Sequence, residues 1–420
     1  VYSFDWTGDF RKWLARVRSR QTWQRVAPNV WFIGVTSLLT DISSEMIASI
    51  LPLYLVLGLG LSPFLFGIVD GLYPGVTALV RWAGGVIGDR SRQHKGLAAI
   101  GYGVSAASRL VWLPVGGNVA GIMALVTADR IGKGVRTAPR DALISLSSPP
   151  DGLGAAFGVH RAMDAAGAML GPLTAAAILL LAPRRFDLVF VVSFSLGVVG
   201  LAVLVLFVRN PPGEAVPAPG KFAPGPSGLL PKQRGLWMTL AGGAALALVT
   251  VSDAFVYLVL QRRGLVAPAS IPLLFVGTNA TYLLLAIPMG VLSDRLGRWR
   301  IFLVGHLFLG VVYGALLVPG PGWTVVPVVL IFLGGYYAAT EGVLSAMASA
   351  VVPRADRGSG LGLLATATSL GRLGASLLFG WIWSAWDDAT AVAVFAAALA
   401  GMMMASAVIL ARAQREIIPA

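Results

Sequence analysis

The fold class predicted from the sequence is an all-α integral membrane protein with twelve transmembrane helices in two pseudo-symmetric six-helix bundles. Three observations predict it. Of the 420 residues, 56% are hydrophobic and 12% charged, with a mean hydropathy of +0.78, whereas soluble domains carry about 25% charged residues. Apolar stretches of about 20 residues, long enough to cross a bilayer, recur along the chain. A short motif also repeats half a chain apart: Gly85-Val-Ile-Gly-Asp89-Arg90 returns as Gly290-Val-Leu-Ser-Asp294-Arg295.

Taken in order, residues 1–28 form a basic amphipathic segment. Phe10, Trp13, Leu14 and Val17 fall on one helical face, and Arg11, Lys12, Arg16, Arg18, Arg20 and Arg25 surround it. Such a helix is expected to lie on an anionic cytoplasmic leaflet, and no apolar run in it reads as a cleaved signal. Spans are predicted at 29–58, 64–88, 97–115, 119–143, 154–182 and 187–208, which make the N-terminal bundle, 29–208. Residues 209–235, rich in Pro, Gly and basic side chains, read as a cytoplasmic linker. Spans at 236–261, 269–293, 300–318, 323–350, 359–383 and 389–411 make the C-terminal bundle, 236–412, and 413–420 are a tail.

Lys and Arg gather on alternate loops (Arg90, Arg92 and Lys95; Arg209, Lys221, Lys232 and Arg234; Arg295 and Arg298; Arg354 and Arg357). This places both termini in the cytoplasm and the chain, as a multi-pass protein, in the cytoplasmic (inner) membrane. Arg184, Arg185, Arg262 and Arg263 are local exceptions on the other side. The net charge of +13 is thereby an orientation signal and not a nucleic-acid surface. There is no Cys, and the three His stand at 94, 160 and 306. No metal site and no cofactor is expected, with the proton gradient as energy source. No acid-base-nucleophile set suggests an enzyme.

With these residues in hand, the chain from about 29 to 412 resembles the major facilitator superfamily. The loop signature Gly-x-Leu-Ala-Asp-Arg-x-Gly-Arg-Lys is matched well at Gly290–Arg298, and at Gly85–Lys95 with Arg92 for the second Gly. Arg130-Ile-Gly-Lys133-Gly134 stands where the family has Arg-x-x-Gln-Gly in span 4. Gly167-Ala-Met-Leu-Gly171-Pro172 matches the span 5 pattern of proton-coupled exporters. The resemblance implies a monomeric transporter working by alternating access on a small-molecule substrate. It leans towards export by proton antiport; uptake of an organic anion by proton symport is the alternative.

Charge inside the spans marks the candidate residues, because a charge in a bilayer costs at least about 2.5–3.5 kcal/mol and faces protein or water. Asp41 and Glu45 share one face of span 1. With Arg130 and Asp164 they are the expected proton-coupling groups. Lys133, Arg136 and Arg140 form a basic stripe on span 4, read as an anion-recognising wall or as counter-charge to the acids of span 1. Arg136 and Arg140 have the further option of snorkelling at the interface. His160, a residue type that titrates near neutral pH, Arg161 and Asp164 sit together on span 5. Gly167 and Gly171 permit close helix approach, and Pro172 bends the span.

The second half is poorer in charge. Asp253, Glu341 and Arg372, with Tyr257, Asn279 and Tyr337, are expected to contribute to the cargo surface alongside Lys133, Arg136, His160 and Arg161. The cargo is expected to be amphipathic, with an anionic group. Asp89 with Arg90 and Asp294 with Arg295 are read as conformational latches at helix ends.

Overall fold

Runs of apolar residues can enter lipid only as helices, since every backbone polar group must be satisfied within the segment. The computed structural model describes residues 26–88, 94–149, 152–210, 234–318, 320–351 and 357–415. The amphipathic segment up to residue 25, the linker over 211–233, the end of the tail and the loop bearing Asp89 and Arg90 lie outside the described residues.

The helices are α1 (Pro28–Pro52, continued as a π-helical stretch, Leu53–Gly58), α2 (Pro63–Gly88), α3 (His94–Val115), α4 (Val119–Leu146), α5 (Leu153–Leu181) and α6 (Phe186–Phe207). There follow α7a (Arg234–Leu248) and α7b (Asp253–Arg262), α8 (Ile271–Leu296), α9 (Arg298–Leu317), α10 (Gly322–Val351), α11 (Arg357–Ala385) and α12 (Asp388–Arg415). With α7a and α7b counted as one span, the described residues hold the twelve expected helices. Ten of the spans are long and apolar enough to cross a membrane.

Local chemistry sets several of the ends. Pro28 opens α1, where a missing N–H costs nothing. The Asn118 side chain caps α4 by accepting from the Gly121 N–H at 3.1 Å. Gly297, at φ 98°, turns the chain between α8 and α9, a conformation open to glycine at no steric cost.

One span departs from the expectation. The continuous helix predicted over 236–261 is broken between Leu248 and Asp253. No Pro or Gly stands in the break; Tyr313 of α9 holds it open. Its hydroxyl donates to the Val249 carbonyl at 2.8 Å and accepts from the Val251 N–H at 2.9 Å. Two backbone groups that a straight helix would pair internally are thus satisfied by one buried side chain.

The halves repeat in packing as well as in sequence. In the first, α1 packs on α5 and α6, α3 on α4 and α6, and α2 on α4. In the second, α7a packs on α11 and α12, α9 on α10 and α12, and α8 on α10. The halves meet chiefly through α2 against α11 and, by the same symmetry, α5 against α8.

The α2–α11 contact lies towards the end of the molecule remote from the linker. A β-carbon built on Gly67 would run into the Ser376 carbonyl oxygen, and one built on Gly71 would stand 3.2 Å from Leu373 Cα. The Phe64 N–H donates to Ser384 Oγ at 2.9 Å. Phe66 meets Phe255 edge-on at 4.9 Å, and Phe255 packs on Phe379 and Trp383. These rings and small residues pack α2 against α7b and α11 there.

Candidate functional site

The acidic and basic side chains of α4 enter a protein interior rather than lipid because neighbouring helices supply opposite charge. Close approach makes this possible: a β-carbon on Gly101 of α3 would lie 2.7 Å from the Gly132 carbonyl oxygen of α4. Asp129 receives Arg130, whose Nε donates to Oδ2 at 3.1 Å, and Arg109 of α3, 3.8 Å from Oδ1. Arg109 is 2% exposed, and its Nη2 donates to Ser44 Oγ of α1 at 3.1 Å. The Arg130 guanidinium also lies 4.3 Å from the centre of the Tyr73 ring of α2.

Further along α4, Lys133 Nζ lies 3.9 Å from Glu45 Oε1 and Arg136 Nη2 lies 3.7 Å from Asp41 Oδ1. Arg136 is stacked 4.4 Å over Tyr102 of α3. Arg140 donates to Asp141 Oδ1 at 3.0 Å and comes within 3.9 Å of Asp164 Oδ2. Arg136 and Arg140 are both buried, so the snorkelling option for them gives way to ion pairing inside the bundle. Each cation of the stripe therefore faces a carboxylate of the protein.

Helix α5 bears the other side of the cluster. His160 is 1% exposed, with Nε2 at 3.7 Å from Asp164 Oδ2. Both ring nitrogens of His160 and Oδ1 of Asp164 are buried without a hydrogen-bond partner among the described residues. Arg161 is exposed. Gly167 and Gly171 bring α5 onto the acids of α1 themselves: their built β-carbons would fall 2.9 Å from Asp41 Cβ and 2.7 Å from Glu45 Cβ. Pro172 lies within the same helix.

A cavity of about 250 Å3 opens between the halves. Asp70 and Tyr73 of α2 line it, with Asp253 at the start of α7b, Tyr337 of α10, and Arg372 and Ser376 of α11. Ser376 Oγ donates to Asp70 Oδ2 at 2.6 Å, a hydrogen bond between the halves, and the Tyr337 hydroxyl donates to Asp253. A second cavity of about 220 Å3 in the C-terminal half is lined by His306, Tyr336, Glu341 and again Arg372.

The site residues expected from sequence thus fall into two groups. Asp41, Glu45, Arg130, Lys133, Arg136, His160 and Asp164 belong to the charge cluster of the first half. Asp253, Tyr337 and Arg372 line the inter-half cavity, and Glu341 borders its neighbour. Tyr257 is fully buried, hydrogen-bonded to Thr278 at 2.7 Å, and Asn279 is half-buried on α8; neither is among the lining residues of the two cavities. At the end of α8, Asp294 accepts from Arg298 at 3.0 Å, and Arg298 also donates to the Ala346 carbonyl of α10 at 3.0 Å. Arg295 beside them is exposed.

Sequence reasoning missed Asp70, Arg109 and the role of Asp129. Asp70 is the one acid of its predicted span and Arg109 the one charge of its own, and that isolation was the available signal. Among the described residues no group of three or more His, Cys, Asp or Glu stands close enough to hold a metal ion.

Comparison with known proteins places this arrangement. The family model described as Major Facilitator Superfamily matches residues 33–372 and 265–417. An uncharacterised MFS-type transporter of Methanocaldococcus jannaschii is 31% identical over 372 residues, covering 86% of this chain and 89% of that protein. An uncharacterised protein of Mycobacterium tuberculosis is 28% identical over 393 residues, covering 91% and 93%. Among solved structures, a point mutant of the nucleoside transporter NupG superposes with a TM-score of 0.76 at 14% identity, over 91% of this chain and 99% of that one. A bacterial homologue of the human lysosomal transporter Spinster, inward-facing and unoccupied, gives 0.67 at 16% identity, over 92% and 94%.

Proposed function

Because this chain belongs to the Major Facilitator Superfamily and is a membrane transporter, we propose that it moves a small amphipathic solute by alternating access through the inter-half cavity, in exchange for protons. Cargo leaves the cell in this reading. The carrying observation is the contact of α5 with the α1 acids, where Gly167 and Gly171 pack on Asp41 and Glu45. The helix bearing the exporter-like motif and the candidate proton carriers form one mechanical unit.

Of the two roles left open for the α4 stripe, counter-charge is the one we propose. Lys133 and Arg136 face Glu45 and Asp41, while Arg140 and His160 face Asp164. Proton uptake by the acids of α1 and α5 relieves the repulsion of like charges in a poorly solvated interior. Arg130 acts on the cluster through Asp129. The Tyr73 ring carries Arg130 and also lines the cavity, so protonation and cargo occupancy bear on a shared side chain.

The proposed closed end is the one remote from the linker, which the positive-inside pattern assigns to the outside. The proposed conformation therefore opens to the cytoplasm, ready to load cargo for export. The protein acts as a monomer, with both termini cytoplasmic, in the cytoplasmic membrane. The latch proposed for the second half, Asp294 with Arg295, engages Arg298 through Asp294, and Asp89 with Arg90 are its sequence counterparts in the first half.

Reconstituted vesicles with an internal pH dye test the exchange against a panel of organic anions, cations and neutral amphiphiles. Cargo-evoked proton movement opposite to the cargo is expected in wild type and lost in Asp41→Asn. Proton movement in the direction of the cargo replaces antiport by symport. Cargo flux that is insensitive to a pH gradient and unchanged in Asp41→Asn and Glu45→Gln overturns proton coupling altogether.

A further inference from the structure

The charge cluster of the first half balances itself, whereas the inter-half cavity does not. Among the described residues its lining contains the carboxylates of Asp70 and Asp253 and one cation, Arg372. Arg372 is shared with the second cavity, where Glu341 is another of its electrostatic partners.

Asp70 accepts from the Ser376 hydroxyl and Asp253 from the Tyr337 hydroxyl. An ionised carboxylate offers about four acceptor positions, so both keep capacity for a further donor. Around them stand Phe66, Tyr73, Phe275 and Tyr337, with Leu51, Pro52 and Val251 among the apolar walls.

We propose that the cargo of this cavity is a small aromatic or amphipathic amine carried as its ammonium ion, with Asp70 and Asp253 as the charge-recognising residues. The assignment rests on the reading of the cavity as the cargo site. An ammonium is a compact donor of three hydrogen bonds, which matches two carboxylates on opposing halves, and ring faces attract the same charge. Among the described residues an anionic head would meet Arg372 alone in the lining, with two carboxylates repelling it, since the cations of α4 are committed to Asp41, Glu45, Asp129 and Asp141. The volume of about 250 Å3 falls just below the roughly 300–1,000 Å3 of drug-sized pockets, which favours a one- or two-ring skeleton. A ligand held by both aspartates also touches both halves, so its binding reports directly on their separation.

The test is equilibrium binding to the purified full chain at pH 7, without any gradient, using three probes of one skeleton: tryptamine, tryptophol and indole-3-acetate. Tryptamine is expected to bind about tenfold or more tightly than the neutral or anionic probe, the fold-change for losing a charged hydrogen bond. Asp70→Asn and Asp253→Asn are each expected to weaken tryptamine by about tenfold and leave tryptophol unchanged; Asp70→Glu, which keeps the charge, restores affinity if Asp70→Asn merely misfolds. Equal or tighter binding of indole-3-acetate, unchanged tryptamine affinity in both Asn variants, or binding of none of the three overturns the assignment. Because no turnover is required, tryptamine binding without coupled proton movement would sink the exchange mechanism and leave the cargo class standing.

Discussion

Gly171 of α5 lies so close to Glu45 of α1 that a β-carbon built on the glycine would stand 2.7 Å from Glu45 Cβ, and equally close to the Ile42 carbonyl oxygen. One turn earlier, Gly167 stands in the same relation to Asp41. The acids of α1 are thus positioned by contact with a neighbouring helix, and movement of α5 displaces them relative to the cations of α4. A side chain at residue 171 has to push α1 and α5 apart.

Gly171→Val is therefore expected to lower the stability of the protein in detergent by about 1–3 kcal/mol, the usual cost of overpacking a tight contact, read as a lower melting temperature. Gly158→Ala on the same helix, where nothing lies within 4 Å, is the control and should be neutral or stabilising by up to about 1 kcal/mol. Equal behaviour of the two would mean that the α1–α5 contact is slack.

Asp41 and Arg136 form a second measurable unit. Their side chains are 15% and 3% exposed and stand 3.7 Å apart. Asp41→Asn leaves a guanidinium buried with Tyr102 and no carboxylate, a change that costs about 3–5 kcal/mol when the charge is fully buried. Asp41→Asn combined with Arg136→Gln should recover part of that loss, with a coupling energy of about 0.5–3 kcal/mol from a double-mutant cycle of thermal unfolding. Strict additivity would show that the pair is incidental to stability.

How much of this was legible beforehand follows from where each feature is encoded. The spans, the repeat and the α5 motif are local: lipid forces about 20 apolar residues into each crossing helix, and Gly167, Gly171 and Pro172 stand within six residues. The charged face of α4 was legible for the same reason. Counter-charge to the acids of span 1 was one of its two readings; the Arg109–Asp129 pair was not legible, because Arg109 reaches Asp129 from another helix. Asp70 was passed over as one acid in an apolar span; its partner Ser376 is 306 residues away. The break in the seventh span is likewise tertiary, since nothing in Val249-Thr250-Val251-Ser252 announces the hydroxyl of Tyr313.

That hydroxyl carries a prediction of its own. Tyr313→Phe keeps the ring and removes the group that satisfies the Val249 carbonyl and the Val251 N–H, both in the buried break. Leaving such groups unpaired costs about 1–3 kcal/mol. Thermal unfolding should show that loss, and hydrogen exchange at Val251 should accelerate more than at Leu240 in the body of α7a. Unchanged exchange at Val251 would assign the break to another cause.

The last prediction concerns the proposed closed end. The proposed alternating access requires α2 and α11 to separate there, where Gly67 and Gly71 bring α2 against Ser376 and Leu373 of α11. The chain has no Cys, so a pair can be introduced without removing any. Gly71→Cys with Leu373→Cys places one thiol-bearing β-carbon about where the present contact lies, 3.2 Å from the Cα of its partner, which is close enough to bridge after modest adjustment. Oxidation is expected to cross-link the pair within the chain and to stop transport in vesicles, and reduction should restore it. Either single variant should be indifferent to oxidant. If the oxidised pair still carries cargo at the rate of the reduced protein, the halves do not part at this end, and the cavity between them is not reached by rocking one bundle against the other.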